Sequence, residues 1–193
     1  MRTFLCLPIQ EETRRRIAST ANKLRKNIDT RLSWVKQDNY HVTIRFLGEI
    51  DPMLTLELKD ACQAATSHIP SFTIPIDKVG AFPTVERPRV LWIGGNPPDP
   101  FFDLLSGLDS RLSKLGFNRA RRETMAHITL ARIKGRMNTP LSQIVGKIDN
   151  PRCIMHANSL VLMESQLSRQ GAIYSPLFSL PLAKSAADTK GKA

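Results

Sequence analysis

Cysteine is scarce in this chain and its three copies are far apart. Cys6, Cys62 and Cys153 each sit among apolar neighbours in 193 residues. An odd number at such spacing excludes a disulfide framework and a closely spaced thiolate metal site; the expectation is three reduced core thiols in a cytoplasmic protein. Long hydrophobic runs are missing too. None approaches the roughly 18 residues that a membrane span requires, and Met1–Pro8 is too short for a secretory signal and reads as a first strand. No membrane association is expected. The sequence also lacks an HExxH pair, a carboxylate pair beside its histidines and a Gly-x-Ser-x-Gly elbow. Zinc hydrolysis and serine-triad chemistry therefore have no support, and neither metal nor cofactor is expected.

Acidic residues are few: 17 Asp and Glu face 28 Lys and Arg, a formal net charge of +11. That balance favours a polyanionic partner, nucleic acid before an anionic membrane surface. The basic clusters are Arg14–Arg16, Lys23–Lys26 and Arg119–Arg122. The first two fall on an expected helix, where a solvated outer face is the plain reading. The third lies just upstream of a histidine that matters more.

Histidines are rare as well, only four, yet two of them occur in the same local text. His41-Val42-Thr43-Ile44 and His127-Ile128-Thr129-Leu130 each set a threonine two residues after a histidine, with apolar residues between and after. On a strand, side chains alternate between faces, so each segment presents His and Thr on one face and turns Val42/Ile44 or Ile128/Leu130 inward. A single such tripeptide means little; the doubling is the signal, and His68 and His156 do not share it. Two imidazoles and two hydroxyls can open or close a phosphodiester. One neutral imidazole serves as base and one protonated imidazole as acid near neutral pH, while hydroxyl donors meet the charge on non-bridging oxygens.

Periodicity and punctuation give an organisation. Strands are expected at 2–7, near Trp34-Val35, at 40–47, 71–80, 89–94, 126–133, 152–163 and 171–182. A helix is expected over 10–28 with Ile17, Ala21, Leu24 and Ile28 on one stripe. Asp51-Pro52, Asp99-Pro100 and Thr139-Pro140 read as capped helix starts, Gly116 as a helix stop, and 168–171 as a hairpin turn. Each half runs strand, helix, motif strand, capped helix, and His41 and His127 lie 86 positions apart. This pattern predicts an α+β fold from an internal duplication: two antiparallel-rich sheets related by a pseudo-twofold axis around a central cleft, helices outside. Residues 1–183 are expected to form one bilobal domain and 184–193 a flexible polar tail.

The paired motifs and their surroundings resemble the two-histidine (2H) phosphoesterase superfamily. Trp34-Val35, Asn39-Tyr40-His41 through Glu49, His127 through Arg132, and Leu162–Ser165 with Gly171–Tyr174 are similar to its RNA 2′,3′-cyclic phosphodiesterase branch. The resemblance covers about residues 2–182. It implies metal-independent hydrolysis of terminal 2′,3′-cyclic phosphates to 2′-phosphates, with 2′-5′ RNA ligase activity on tRNA halves as an alternative. A non-catalytic RNA- or nucleotide-binding module is the competing reading from another class. The implied partners are RNA or oligonucleotide 3′ ends, tRNA fragments among them, bound by a monomer. Carried over by position, His41 and His127 form the acid/base pair, with His41 acid and His127 base, and Thr43 and Thr129 bind phosphate. Phe46 and Arg132, each five residues after a motif histidine, are placed beside the terminal base; strand alternation, not the resemblance, sets Arg45 on the His41 face, where it would line the groove. Strand alternation alone instead buries Phe46 with Ile44. Tyr174 matches the family's closing pattern and is expected to be structural. Ala126 stands where the family often has proline.

Overall fold

A nearly uninterrupted apolar run opens the chain and becomes the middle of a sheet. In a computed structural model, which describes residues 1–119, 125–135, 137–148, 152–169 and 171–184, Arg2–Pro8 form strand β1. Its Leu5 and Leu7 enter the main core, while Phe4 and Cys6 enter a small cluster with Val161. A strand covered on both faces needs apolar residues at successive positions, which is what this segment has. Helix α1 (Glu11–Asn27) follows, burying Thr13, Ile17, Thr20, Ala21 and Leu24. Glu11 and Glu12 in its first turn and Arg25 and Lys26 in its last complement the helix dipole.

The remaining elements, in chain order, are β2 (Leu32–Trp34), β3 (His41–Glu49), α2 (Thr55–Thr66), β4 (Phe72–Ile76), β5 (Lys78–Phe82), β6 (Val90–Gly95), α3 (Asp99–Leu112), β7 (Ala126–Ile133), α4 (Leu141–Val145), β8 (Cys153–Ala157), β9 (Ser159–Ser168) and β10 (Gly171–Pro181). Asp51 acts as the expected cap: its carboxylate accepts the Met53 N–H at 2.9 Å and starts the 3₁₀ turn that leads into α2. Helices α3 and α4 start one residue from the expected positions. Pro98 and Pro140 occupy their caps instead of Asp99 and Thr139. Gly116, at φ 85°, takes the left-handed conformation that stops the α3 segment. Ser168 and Gly171 flank the β9–β10 turn, with the Ser168 hydroxyl donating to the Gly171 carbonyl at 2.7 Å.

The class is α+β with antiparallel pairing throughout the named strands. The expected pair of motif sheets is joined into one sheet of eight strands, in the order β10-β9-β1-β3-β7-β6-β5, with β2 also on β7. The junction is a single residue pair, Val42 with Ile128. On either side of it the architecture repeats: β1–α1–β3 and β6–α3–β7 each link two neighbouring antiparallel strands through a helix. A second, two-stranded sheet pairs β4 with β8.

That small sheet corrects two expectations. The strand read over 71–80 is two strands, because the chain leaves β8 at Asp77 and pairs with β6 thereafter. The strand read over 152–163 breaks in the same way at Asn158, passing from β4 to β1 and β10. Apolar alternation shows which side of a strand is buried, not which sheet it joins.

One face of the main sheet carries the helices. Ile17 and Leu24 of α1, Leu58 and Cys62 of α2, and Leu104 and Leu108 of α3 share a core with Val42, Ile44, Ile93, Ile128 and Leu130. All three cysteines are buried and free, and burial pushes the Cys6 and Cys62 thiols up to about 12. The tail expected over 184–193 lies outside the described residues beyond Lys184.

Candidate active site

With Val42 and Ile128 turned into the core, the residues on either side of each are left on the opposite face. On β3 these are His41 and Thr43, with His41 Nε2 3.0 Å from Thr43 Oγ1. The Nδ1–H of the neutral ring donates to the Asn39 carbonyl at 2.8 Å, which leaves Nε2 toward the cleft. On β7 the counterparts are His127 and Thr129. An antiparallel register centred on the Val42–Ile128 pair turns His41 toward Thr129 and His127 toward Thr43. The backbone packs tightly here: a Cβ on Gly94, which pairs with His127, would lie 2.0 Å from the Ala126 carbonyl oxygen.

Each motif strand then carries an extra residue at the same distance from its histidine, and β3 a second one further on, at Leu47. Leu5 pairs with Arg45 and Cys6 with Thr43, so Ile44 is surplus in β3. Leu91 pairs with Ala131 and Trp92 with Thr129, so Leu130 is surplus in β7. Both bulges fall three residues after the histidine. A bulge of one residue reverses the facing of the residues that follow it, up to the next bulge. Phe46, which strict alternation buries beside Ile44, is instead 67% exposed and lines the cleft with His41 and Thr43. Arg132 reaches the same cleft by the same device on β7.

The bulge also corrects the placement of Arg45. Alternation sets it on the His41 face; the structure turns it away and buries it. Its guanidinium donates to the Asp109 carboxylate on α3 and to the Asn118 carbonyl.

Each imidazole sits in an aromatic corner that the sequence did not reveal. Phe4 stacks on His41 with centroids 4.7 Å apart, and the Tyr174 ring meets His41 edge-on at 5.4 Å. His127 is met edge-on by Phe82 at 4.8 Å, with Trp92 at 6.5 Å. Phe4 and Trp92 belong to β1 and β6, the strands that pair with the two motif strands, so only the register could have found them. Tyr174, expected to be structural, packs on Phe4 and also lines the cleft.

This packing changes the chemistry of His41. Desolvation holds its pKa below the ordinary imidazole value; the Asn39 carbonyl opposes that, and the nearby charge of His127 adds to it. His41 is therefore expected to titrate below the usual value of about 6.5 in the free protein. Binding of an anion such as 2′-AMP should raise the midpoint, because a negative charge favours imidazolium. Proton NMR of the ring Cε1–H against pH measures both. A free midpoint above the ordinary value would contradict the burial argument.

The cleft encloses about 480 Å³ and is lined by His41, Thr43, Phe46, Thr129, Arg132 and Tyr174 among others. No group of three His, Cys, Asp or Glu side chains comes together to hold a metal among the described residues. The α1 cluster Arg14–Arg16 is engaged with Glu11 and Glu12 on its own helix at 2.8 to 3.1 Å, the solvated face that was expected. Of the Arg119–Arg122 cluster, Arg121 and Arg122 lie outside the described residues.

Comparison with known proteins matches this geometry to a family. The LigT-like phosphoesterase family pattern fits residues 7–92 and 95–174. A protein of Aeropyrum pernix named RNA 2′,3′-cyclic phosphodiesterase is 33% identical over 156 residues, 78% of this chain and 86% of its own. One of the same name from Methanothermobacter thermautotrophicus is 28% identical over 179 residues, 92% and 96% of the two chains. Among solved structures, a Thermus thermophilus protein superposes with a TM-score of 0.81 at 21% identity, covering 96% of this chain and 100% of its own. E. coli LigT complexed with 3′-AMP superposes at 0.76 and 25% identity, covering 95% and 98%. Two motif strands, two family segments and one shared cleft lead to a single assignment: the chain belongs to the LigT-like phosphoesterases.

Proposed function

We propose that this protein hydrolyses the 2′,3′-cyclic phosphate at RNA 3′ ends to a 2′-phosphate, without a metal, through His41 and His127. The observation that carries the reading is the convergence of two His-x-Thr faces about one residue pair, Val42 with Ile128. The names of the relatives supply the substrate class.

His127 takes a proton from water as the water oxygen bonds to phosphorus. The bond from phosphorus to the 3′ oxygen breaks, and His41 Nε2 gives that oxygen its proton. Both histidines then exchange protons with solvent. Thr43 and Thr129 hydroxyls donate to the non-bridging oxygens, where negative charge builds up. In the free protein His41 is biased toward the neutral form, so its role as acid requires proton uptake as the anionic substrate binds. Phe46 and Arg132 flank the terminal base, a ring and a guanidinium suited to stacking.

The test is an oligonucleotide ending in a 2′,3′-cyclic phosphate, incubated with the protein in EDTA, followed by identification of the product end. A 2′-phosphate at undiminished rate is the expected result. A 3′-phosphate would reverse the leaving group, and abolition by EDTA would overturn the metal-free mechanism. Joining of this end to a 5′-hydroxyl would assign a ligase; tight binding without product would assign a binding module.

A further inference from the structure

His41, Thr43 and Thr129 line one part of the cleft, and the cleft continues past them. Strand β2 runs beside the β7 bulge: Ser33 pairs with Arg132 and Trp34 with Ala131, and the Val35 N–H donates to the Leu130 carbonyl at 2.8 Å. The facing wall is the β9–β10 hairpin, where Leu167 pairs with Ala172. The Asn39 side-chain amide donates to the Ala172 carbonyl at 2.8 Å, fastening this hairpin to the turn that leads into His41. Trp34, Lys36, Arg2 and Leu167 line the space between these walls.

Three features of that space point the same way. Arg2 and Lys36 are exposed, and neither enters an ion pair among the described residues. No carboxylate lines the cleft among those residues, so nothing there offsets the two cations and Arg132. Leu167 is 78% exposed on one wall, and Trp34 on the other is half-buried, packing in part against the main core. An aromatic face and an apolar side chain flanked by unpaired cations match the chemistry of a nucleotide unit, with a base to stack and a phosphate to neutralise. In an RNA chain whose cyclic end sits between the histidines, the next groups are the linking phosphate and the penultimate base.

We propose that Trp34, Leu167, Lys36 and Arg2 form a subsite for the penultimate nucleotide, Lys36 and Arg2 holding the linking phosphate and Trp34 and Leu167 the base. The proposal rests on the RNA-end reading above. It makes the preferred substrate an oligonucleotide of two or more units, not a cyclic mononucleotide.

The experiment compares kcat/KM for a 2′,3′-cyclic mononucleotide, a dinucleotide and a trinucleotide, each ending in the cyclic phosphate. Wild type should gain about tenfold or more from one unit to two, the size expected for a stacked base, and little from two to three. The doubly substituted R2Q/K36Q protein should lose most of that gain, mainly through KM, while keeping its rate on the mononucleotide. For the dinucleotide its log–log salt slope should flatten by about 0.7 for the lost single-strand phosphate contact. Trp34→Leu, which keeps apolar bulk without the stacking face, should lose part of the gain at unchanged salt slope. Equal rates on one and two units, or a variant that lowers both alike, would overturn the subsite alone. No turnover of any of the three would overturn the RNA-end reading and the subsite with it.

Discussion

Replacing either His41 or His127 by alanine is expected to lower turnover of a cyclic phosphate end by about 10²- to 10⁴-fold, the usual contribution of a general acid or base. The two should not add. Protonation of the leaving oxygen and deprotonation of water serve one displacement, so the double variant should be little worse than the poorer single one. The variants should separate by leaving group. A substrate with sulfur in place of the 3′ oxygen departs without protonation and should restore much of the activity of His41→Ala but not of His127→Ala. Rescue of His127→Ala alone would exchange the two roles. Full activity in either single variant would remove that histidine from the mechanism. Asn39 bonds His41 through its backbone carbonyl, and its side chain holds the Ala172 carbonyl of the hairpin instead.

The second large effect concerns stability. Asp109→Ala is expected to cost about 3 kcal/mol, the low end for removing one partner of a buried ion pair. The Arg45 side chain is 5% exposed, and without Asp109 its charge would stay buried with the Asn118 carbonyl as its one remaining partner among the described residues. Asp109 itself is 28% exposed, which keeps the cost at that end of the range. The double replacement Arg45→Met with Asp109→Leu should recover most of the loss, because apolar side chains of similar bulk need no compensation. Urea unfolding midpoints measure both. Since Arg45 faces away from the cleft, activity per folded molecule should survive the double replacement. A drop in kcat/KM at unchanged stability would return Arg45 to the substrate side, where plain alternation had put it.

Why alternation misplaced Arg45 and Phe46 shows where sequence reasoning stops. The His-x-Thr pairs, the amphipathic stripe of α1 and the Asp51 cap are local, decided within a few residues, and were legible as written. A bulge is not local. Ile44 and Leu130 look like ordinary core residues, and only their partners on β1 and β6 show that each is one too many. Past that point Arg45 and Phe46 exchange faces on β3, until a second extra residue at Leu47, and Arg132 turns to the cleft on β7. The breaks at Asp77 and Asn158 have the same origin, since the partner strand decides where one sheet ends and the other begins. The aromatic corners around the histidines were hidden likewise, because Phe4 and Trp92 meet their imidazoles across strands.

The matching bulges have one more consequence. Two antiparallel motif strands paired at Val42 and Ile128 repeat the same His-x-Thr text, yet a ribose offers two adjacent oxygens of which only one should depart. His41 and His127, or Thr43 and Thr129, exchange places under the half-turn without telling one oxygen from the other. What the half-turn does not preserve is the residue that each bulge delivers: a ring at Phe46, a cation at Arg132. That mismatched pair, together with the different rings around His41 and His127, breaks the likeness of the two halves, and under the reading proposed above it is there that one ribose oxygen is told from the other.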